Sequence, residues 1–302
     1  MVSAFLALTV VYVGALFLLD DKLSLARLAD AARVLPWVVG FGAIGMGLRF
    51  IRWRWLLARC GSRVPWRQAL SAYLTGFAFT ATPGKVGELV RARYFGRLGV
   101  PHATVVAGFV FERGLDLLVV FAFASVIAAR VPGFAIAAAF VVLVVAGLLI
   151  VARMSRVRRW LQYHLRKMGW RLPARLVRTV LGGIEQAQRL LTWRDALVAG
   201  GLGVLAWSCH LAGFACAMAM LGVRLEPLLL MAIPAAAMLV GAASMLPGGL
   251  GATETAIVVL LVSFGERLEL AALAAVTIRL GSIWFSILVG LAAVAWLERR
   301  AN

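Results

Sequence analysis

The chain has 302 residues, of which 63% are hydrophobic and 15% charged, and its mean hydropathy is +0.94. Soluble domains average about 45–50% apolar and about 25% charged residues, which excludes an ordinary soluble enzyme, a disordered chain and a secreted disulfide scaffold. The 31 Lys and Arg outnumber the 13 Asp and Glu, for a net charge of +18, and an apolar chain must place that surplus somewhere.

A helix needs about 20 apolar residues to cross the hydrocarbon core. The length therefore allows roughly eight to ten membrane segments and no large soluble domain. The fold class is an all-α polytopic membrane protein, with residues 1–302 forming a single integral membrane domain. The cations lie between apolar stretches rather than on one soluble patch, so nucleic acid is rejected as a partner. Cys60, Cys209 and Cys216 are too scattered for a disulfide framework.

In chain order, Val2–Leu19 has no basic leader and no small-residue cleavage site, and reads as a retained first span. Residues 20–33 form a charge-balanced amphipathic link. Leu35–Leu48 is a second span that runs into Arg49, Arg52 and Arg54, and Arg59–Arg67 is a basic interfacial turn. Residues 68–98 are two short apolar segments around Thr82-Pro83-Gly84-Lys85. Pro and Gly break helices, so this stretch is expected to be a re-entrant hairpin. The first half, 1–152, closes with spans at Thr104–Ala129 and Phe134–Ala152.

Residues 153–194 carry many arginines interleaved with Trp160, Leu161, Leu165 and Met168, which suits cytoplasmic interfacial helices. The second half, 195–302, begins with a span at Ala196–Leu221. A second hairpin at 228–265 breaks at Pro247-Gly248-Gly249-Leu250-Gly251, and a short helix is expected from Thr253. Leu270–Leu297 is the last span. The expected architecture is about six full spans plus two hairpins.

With both termini inside, only Lys22, Arg27, Arg33, Arg130, Arg224 and Arg267 fall outside. This obeys the positive-inside rule only if each hairpin returns to its own side. One hairpin then enters from each side, and each precedes a span holding an arginine. Pro83 to Arg113 is thirty positions and Pro247 to Arg279 is thirty-two. Paired interrupted segments are the signature of an inverted-topology repeat and point to its binding site.

Glu88, Glu112, Asp116 and Glu254 lie within apolar stretches, with Lys85, Arg113 and Arg279 near the same depth. Intramembrane charges cost about 2.5–3.5 kcal/mol each and mark function by default. The alternative is an ion-pair network that only pins helices. Helix N-termini expected near Val86 and Thr253, with Arg113 and Arg279, would suit a phosphate, unless Glu88 and Glu254 already occupy those ends. Cys209, His210 and Cys216 do not make a metal site, and no cofactor is expected. Gly40, Gly42, Gly45 and Gly47 read as close-packing positions. Trp53, Trp55, Trp66, Trp160, Trp170 and Trp193 read as interface anchors.

Three motifs together are similar to those of the lysylphosphatidylglycerol synthase transmembrane (flippase-like) family: Glu88-Leu89-Val90-Arg91 after the first break, Glu112-Arg113-Gly114-Leu115-Asp116, and Pro247-Gly248-Gly249-Leu250-Gly251 with Glu254. The resemblance covers nearly the whole chain. It implies a bacterial inner-membrane protein that moves an anionic or modified lipid (a phospholipid, a hopanoid or a polyprenyl-linked sugar) between leaflets. The matching positions are Glu88, Arg91, Glu112, Arg113, Asp116, Pro247, Gly248, Gly249, Gly251 and Glu254. The family's soluble lysyl-transfer domain is not expected in these residues, which leaves the lipid open.

The expected function is thus lipid transport through a polar cavity formed by Lys85, Glu88, Arg91, Glu112, Arg113, Asp116, Glu254 and Arg279, with hairpin tips at Pro83, Gly84, Pro247, Gly248, Gly249 and Gly251. The partners are membrane lipids with anionic head groups, with a homo-oligomer or a lipid-modifying enzyme as further partners. The alternatives are an intramembrane lipid-phosphate enzyme, using Glu112 and Asp116 as acid and base, and a scaffold of a glycolipid pathway.

Overall fold

The computed structural model describes residues 25–128 and 192–300, with isolated positions 139, 143 and 163. The first span expected at 2–19, the span expected at 134–152 and nearly all of the basic stretch 153–194 lie outside the described residues. Among the described residues all regular structure is helical: α1 (Leu25–Arg59), α2 (Trp66–Leu74), α3 (Arg91–Arg97), α4 (His102–Ala128), α5 (Trp193–Met220), α6 (Pro227–Ala243), α7 (Ala252–Ser263), α8 (Leu268–Arg279) and α9 (Phe285–Arg299). A π turn, Leu280–Trp284, joins α8 to α9 without ending the helix.

Three of these helical stretches are long and apolar enough to cross a membrane: Ala29–Arg59, Trp193–Met220 and Leu268–Arg299. Helix α4 has 27 residues, about 40 Å at 1.5 Å per residue, but Glu112, Arg113 and Asp116 interrupt its apolar run. The surfaces suit lipid. Trp37, Ile44, Ile51 and Trp55 recur at sevens and fours along one side of α1 and are exposed, while Val34, Val38, Gly45, Arg52 and Leu56 face inward. A soluble protein would not leave such a stripe uncovered.

Helix α1 is longer than expected. Residues 25–33 are not a separate link, because Leu25, Ala26, Leu28, Ala29, Ala31 and Ala32 are strong helix formers and the helix continues through Pro36. At its far end it also absorbs Arg49, Arg52 and Arg54. The start of α5 is fixed by a capping box: the Thr192 N–H donates to Asp195 Oδ2 at 2.8 Å and the Asp195 N–H to Thr192 Oγ1 at 3.4 Å. Arg59 Nε pairs with Asp195 Oδ1 at 2.6 Å, tying the end of α1 to the start of α5.

Helices α1 and α5 pack along each other. A Cβ on Gly45 would lie 2.8 Å from the Ala206 carbonyl oxygen, and one on Gly213 2.8 Å from Phe41 Cβ. Both glycines are therefore required by close approach. Of the other expected packing glycines, Gly42 faces the Gly281 carbonyl, whereas Gly40 and Gly47 face open space.

Both Pro-Gly segments fold back on themselves. In the first, Thr75–Phe79 packs against Pro83–Val90 and α2 against α3; in the second, α6 packs against α7. The tips touch, with a Cβ on Gly248 falling 3.5 Å from Ala81. Two apolar cores result. One joins Val34 and Val38 of α1 to the distal half of α4 and to α5–α8. The other joins Phe50, Trp53 and Leu57 to the first hairpin and the start of α4. Residues 112–116 of α4 and 42–49 of α1 fall between them.

Candidate functional site

Charged side chains fill that gap on one flank. Arg52 Nη2 donates to Glu112 Oε1 and to Asp116 Oδ1, both at 2.8 Å. Arg91 Nη2 donates to Glu112 Oε2 at 3.1 Å. Arg113 Nη2 reaches Asp116 Oδ2 at 3.0 Å and Glu112 Oε2 at 3.7 Å, and its Nη1 lies 3.9 Å from Glu88 Oε1. Glu88 also accepts a hydrogen bond from the Thr80 hydroxyl at 2.9 Å. Three arginines therefore meet three carboxylates, all buried except for the partly exposed Arg113. The i, i+4 spacing of Glu112 and Asp116 puts both on the α4 face that meets Arg52.

The sequence reading missed Arg52, assigning it with Arg49 and Arg54 to topology. It has no exposed surface. A signal existed: Arg52 lies on the same helical stripe as Val34, Val38 and Gly45. Trp53 is also corrected. It is no interface anchor but is fully buried, with the Arg91 guanidinium 3.7 Å over its ring. Tyr73 and Phe109 flank the same guanidinium at 5.2 and 5.4 Å, so Arg91 is held by cation–π contacts as well as by Glu112.

A second, separate pair closes the other hairpin. Arg279 Nε and Nη2 donate to Glu254 Oε1 and Oε2 at 2.8 and 3.1 Å. Nη2 also donates to the Gly249 carbonyl at 2.9 Å. The turn needs glycine, since Gly248, Gly249 and Gly251 have φ of 64°, 63° and 82°.

The two hairpin tips do not both present helix N-termini. Pro83–Val90 is a 3-10 turn, and the α-helix begins only at Arg91 and lasts seven residues. The expected α-helical N-terminus near Val86 is absent. Lys85 takes a left-handed φ of 56° in this turn, which breaks the helical path. At the second tip, α7 begins at Ala252, with Glu254 in its first turn. Its carboxylate binds Arg279 there.

A cavity of about 390 Å³ opens between the cores and the tips. Arg49, Lys85, Arg113, Asp116 and Arg279 reach it, together with His210. Phe77, Val120, Trp207, Met238 and Ile283 make much of its wall apolar. Of the expected site residues, Lys85, Arg113, Asp116 and Arg279 line it, and Glu88, Arg91, Glu112 and Glu254 stand behind as ion-pair partners. Gly248 and Gly249 line it as well. Arg49 is the other cation missed from sequence; its guanidinium lies 4.3 Å over the Trp207 ring. A second depression, of about 480 Å³ around Arg93, Arg97 and His102, opens at the surface. Among the described residues no group of His, Cys, Asp and Glu has the arrangement of a metal site.

Long apolar helices with bare apolar flanks, packed around a charged internal cavity, define a multi-pass helical membrane protein. The chain belongs to the family described as the lysylphosphatidylglycerol synthase TM region, which matches residues 4–290. Membership places it among membrane proteins of lipid metabolism or transport. No curated protein and no solved structure matches the chain.

Proposed function

We propose that this protein is a lipid flippase, carrying an anionic or modified lipid across a bacterial inner membrane and leaving it chemically unchanged. The observation that carries the reading is the cavity. Apolar side chains and the charged groups of Arg49, Lys85, Arg113, Asp116 and Arg279 line it together, and the two Pro-Gly tips meet beside it. A head group would meet these charges while its acyl chains stay in lipid. The meeting tips at Ala81 and Gly248 would part and close as access alternates between leaflets, one hairpin entering from each side as an inverted repeat would have it. Both termini would be cytoplasmic, where basic residues gather anionic lipid at about 1 kcal/mol per Lys or Arg near the surface.

The test is a proteoliposome assay with labelled phospholipids, scored as the fraction of label that crosses per minute. Wild-type protein should accelerate crossing over empty vesicles, and mass spectrometry should recover the lipid unaltered. Arg113→Ala and Glu112→Ala should abolish the acceleration. Crossing that is unchanged in both variants would end the cavity mechanism, and a chemically altered lipid would favour an enzyme.

A further inference from the structure

The charges around the cavity do not cancel. Among the described residues five cations, Arg49, Arg52, Lys85, Arg91 and Arg113, gather near three carboxylates, Glu88, Glu112 and Asp116, while Arg279 is matched by Glu254. Arg52, Arg91 and Arg113 occupy all three carboxylates. Arg49 and Lys85 are left over. Neither has a carboxylate within 4.0 Å among the described residues. Among the described residues the Arg49 Nε atom is buried with no hydrogen-bond partner, and its guanidinium lies over the Trp207 indole face. Among the described residues Asp116 is the one carboxylate lining the cavity, and it is already shared by Arg52 and Arg113.

The backbone adds a second observation. Lys85 holds a φ of 56°, a region that residues with a Cβ adopt rarely. A glycine would make the same turn without strain, yet a lysine stands there and lines the cavity. Such strain recurs at ligand clamps.

We infer that the ligand of this cavity is a head group whose phosphate carries two negative charges, a phosphomonoester or a diphosphate, held by Arg49 and Lys85. The inference rests on reading the cavity as a lipid head-group site and deepens it. Two unmatched cations lining one cavity with apolar walls repel each other. A phosphomonoester brings about −1.5 to −2 near neutral pH and cancels both. The arginine fork binds two phosphoryl oxygens and the lysine acts as a point charge on a third. A phosphodiester head group with one negative charge would leave one cation unmatched. A lysyl-phosphatidylglycerol head group, with net positive charge, would add another. The charge of this cavity thus opposes the aminoacylated lipid after which the family is named.

The experiment measures binding to the purified full chain in detergent. The probes are short-chain phosphatidic acid (a monoester), farnesyl diphosphate, short-chain phosphatidylglycerol and short-chain lysyl-phosphatidylglycerol. At least one of the first two should bind about ten-fold tighter than phosphatidylglycerol, a difference of about 1.4 kcal/mol, and lysyl-phosphatidylglycerol should bind weakest. Which dianion wins identifies the source of the phosphate. Lys85→Gln and Arg49→Gln should each weaken the dianion by about ten-fold and change phosphatidylglycerol much less. Equal or tighter binding of phosphatidylglycerol or lysyl-phosphatidylglycerol overturns the inference, as does dianion binding that both variants retain. The wild-type selectivity series needs no variant, so it decides the matter even if a substitution prevents folding. Dianion selectivity without lipid crossing in proteoliposomes would refute transport alone. Crossing that prefers lysyl-phosphatidylglycerol would refute the charge assignment alone.

Discussion

Replacing Arg52 with leucine removes the cation that hydrogen-bonds both Glu112 and Asp116 at short range. Its two hydrogen bonds are 2.8 Å long, and hydrogen bonds to charged groups contribute about 1.5–3 kcal/mol each. Breaking a buried ion pair by removing one partner costs about 3–5 kcal/mol, because the remaining charge stays buried. The two figures agree, so Arg52→Leu should destabilise the fold by about 3–5 kcal/mol. At roughly 2–4 °C per kcal/mol, the scale for domains of about 150–250 residues, the midpoint should fall by about 6–20 °C, toward the lower end for this longer chain of 302 residues. The assay is fluorescence-detected size exclusion after heating in detergent, at one heating time, since such unfolding is commonly irreversible. Arg52→Leu leaves Arg91 and Arg113 facing three carboxylates, and a second substitution, Asp116→Leu, removes the one in excess. Glu112 keeps Arg91 in the double variant. The pair should therefore melt above Arg52→Leu alone. A single variant that melts within about 2 °C of wild type, or a double variant that loses the sum of both effects, would refute this account of the network.

Glu254→Gln should lower the midpoint comparably and stop lipid crossing, because Arg279 keeps the Gly249 carbonyl but loses its counter-charge; melting and flux measured on the same preparation check both. Gly290→Ala should destabilise by about 1–3 kcal/mol, since a Cβ there collides with the backbone of Phe77 and Ala78 where α9 meets the first hairpin. Gly200→Ala is its control: its Cβ meets open space, and alanine is favoured over glycine in a helix by about 1 kcal/mol, so its midpoint should hold or rise.

The helix breaks were legible because Pro83-Gly84 and Pro247-Gly248-Gly249 interrupt apolar runs of otherwise helical composition. That Glu112 and Arg113 lie within the helical packing was legible because apolar residues surround them on both sides. Arg49 and Arg52 were not, because a cation at the end of an apolar run reads the same whether it faces head groups or a neighbouring helix. Trp53 was misjudged for the same reason. Its sequence neighbours are arginines, but its spatial neighbours are Arg91, Tyr73 and Phe95. The first tip was misjudged locally. A Pro-Gly pair predicts a break but not whether an α-helix or a 3-10 turn follows it.

The sequence by itself determined the solvent of this protein, because helix period, run length and composition are local properties that the bilayer reads one helix at a time. It also determined which residues are too polar for that solvent. Only the tertiary structure decided how those residues pair. The pairs Arg52–Asp116, Arg91–Glu112 and Arg279–Glu254 span separations of 64, 21 and 25 positions, and no local pattern relates residues so far apart. The leftover charge, Arg49 and Lys85, becomes visible only after those pairs are made. Among the described residues, two of the cations behind the net +18 thus remain unmatched inside the helical packing.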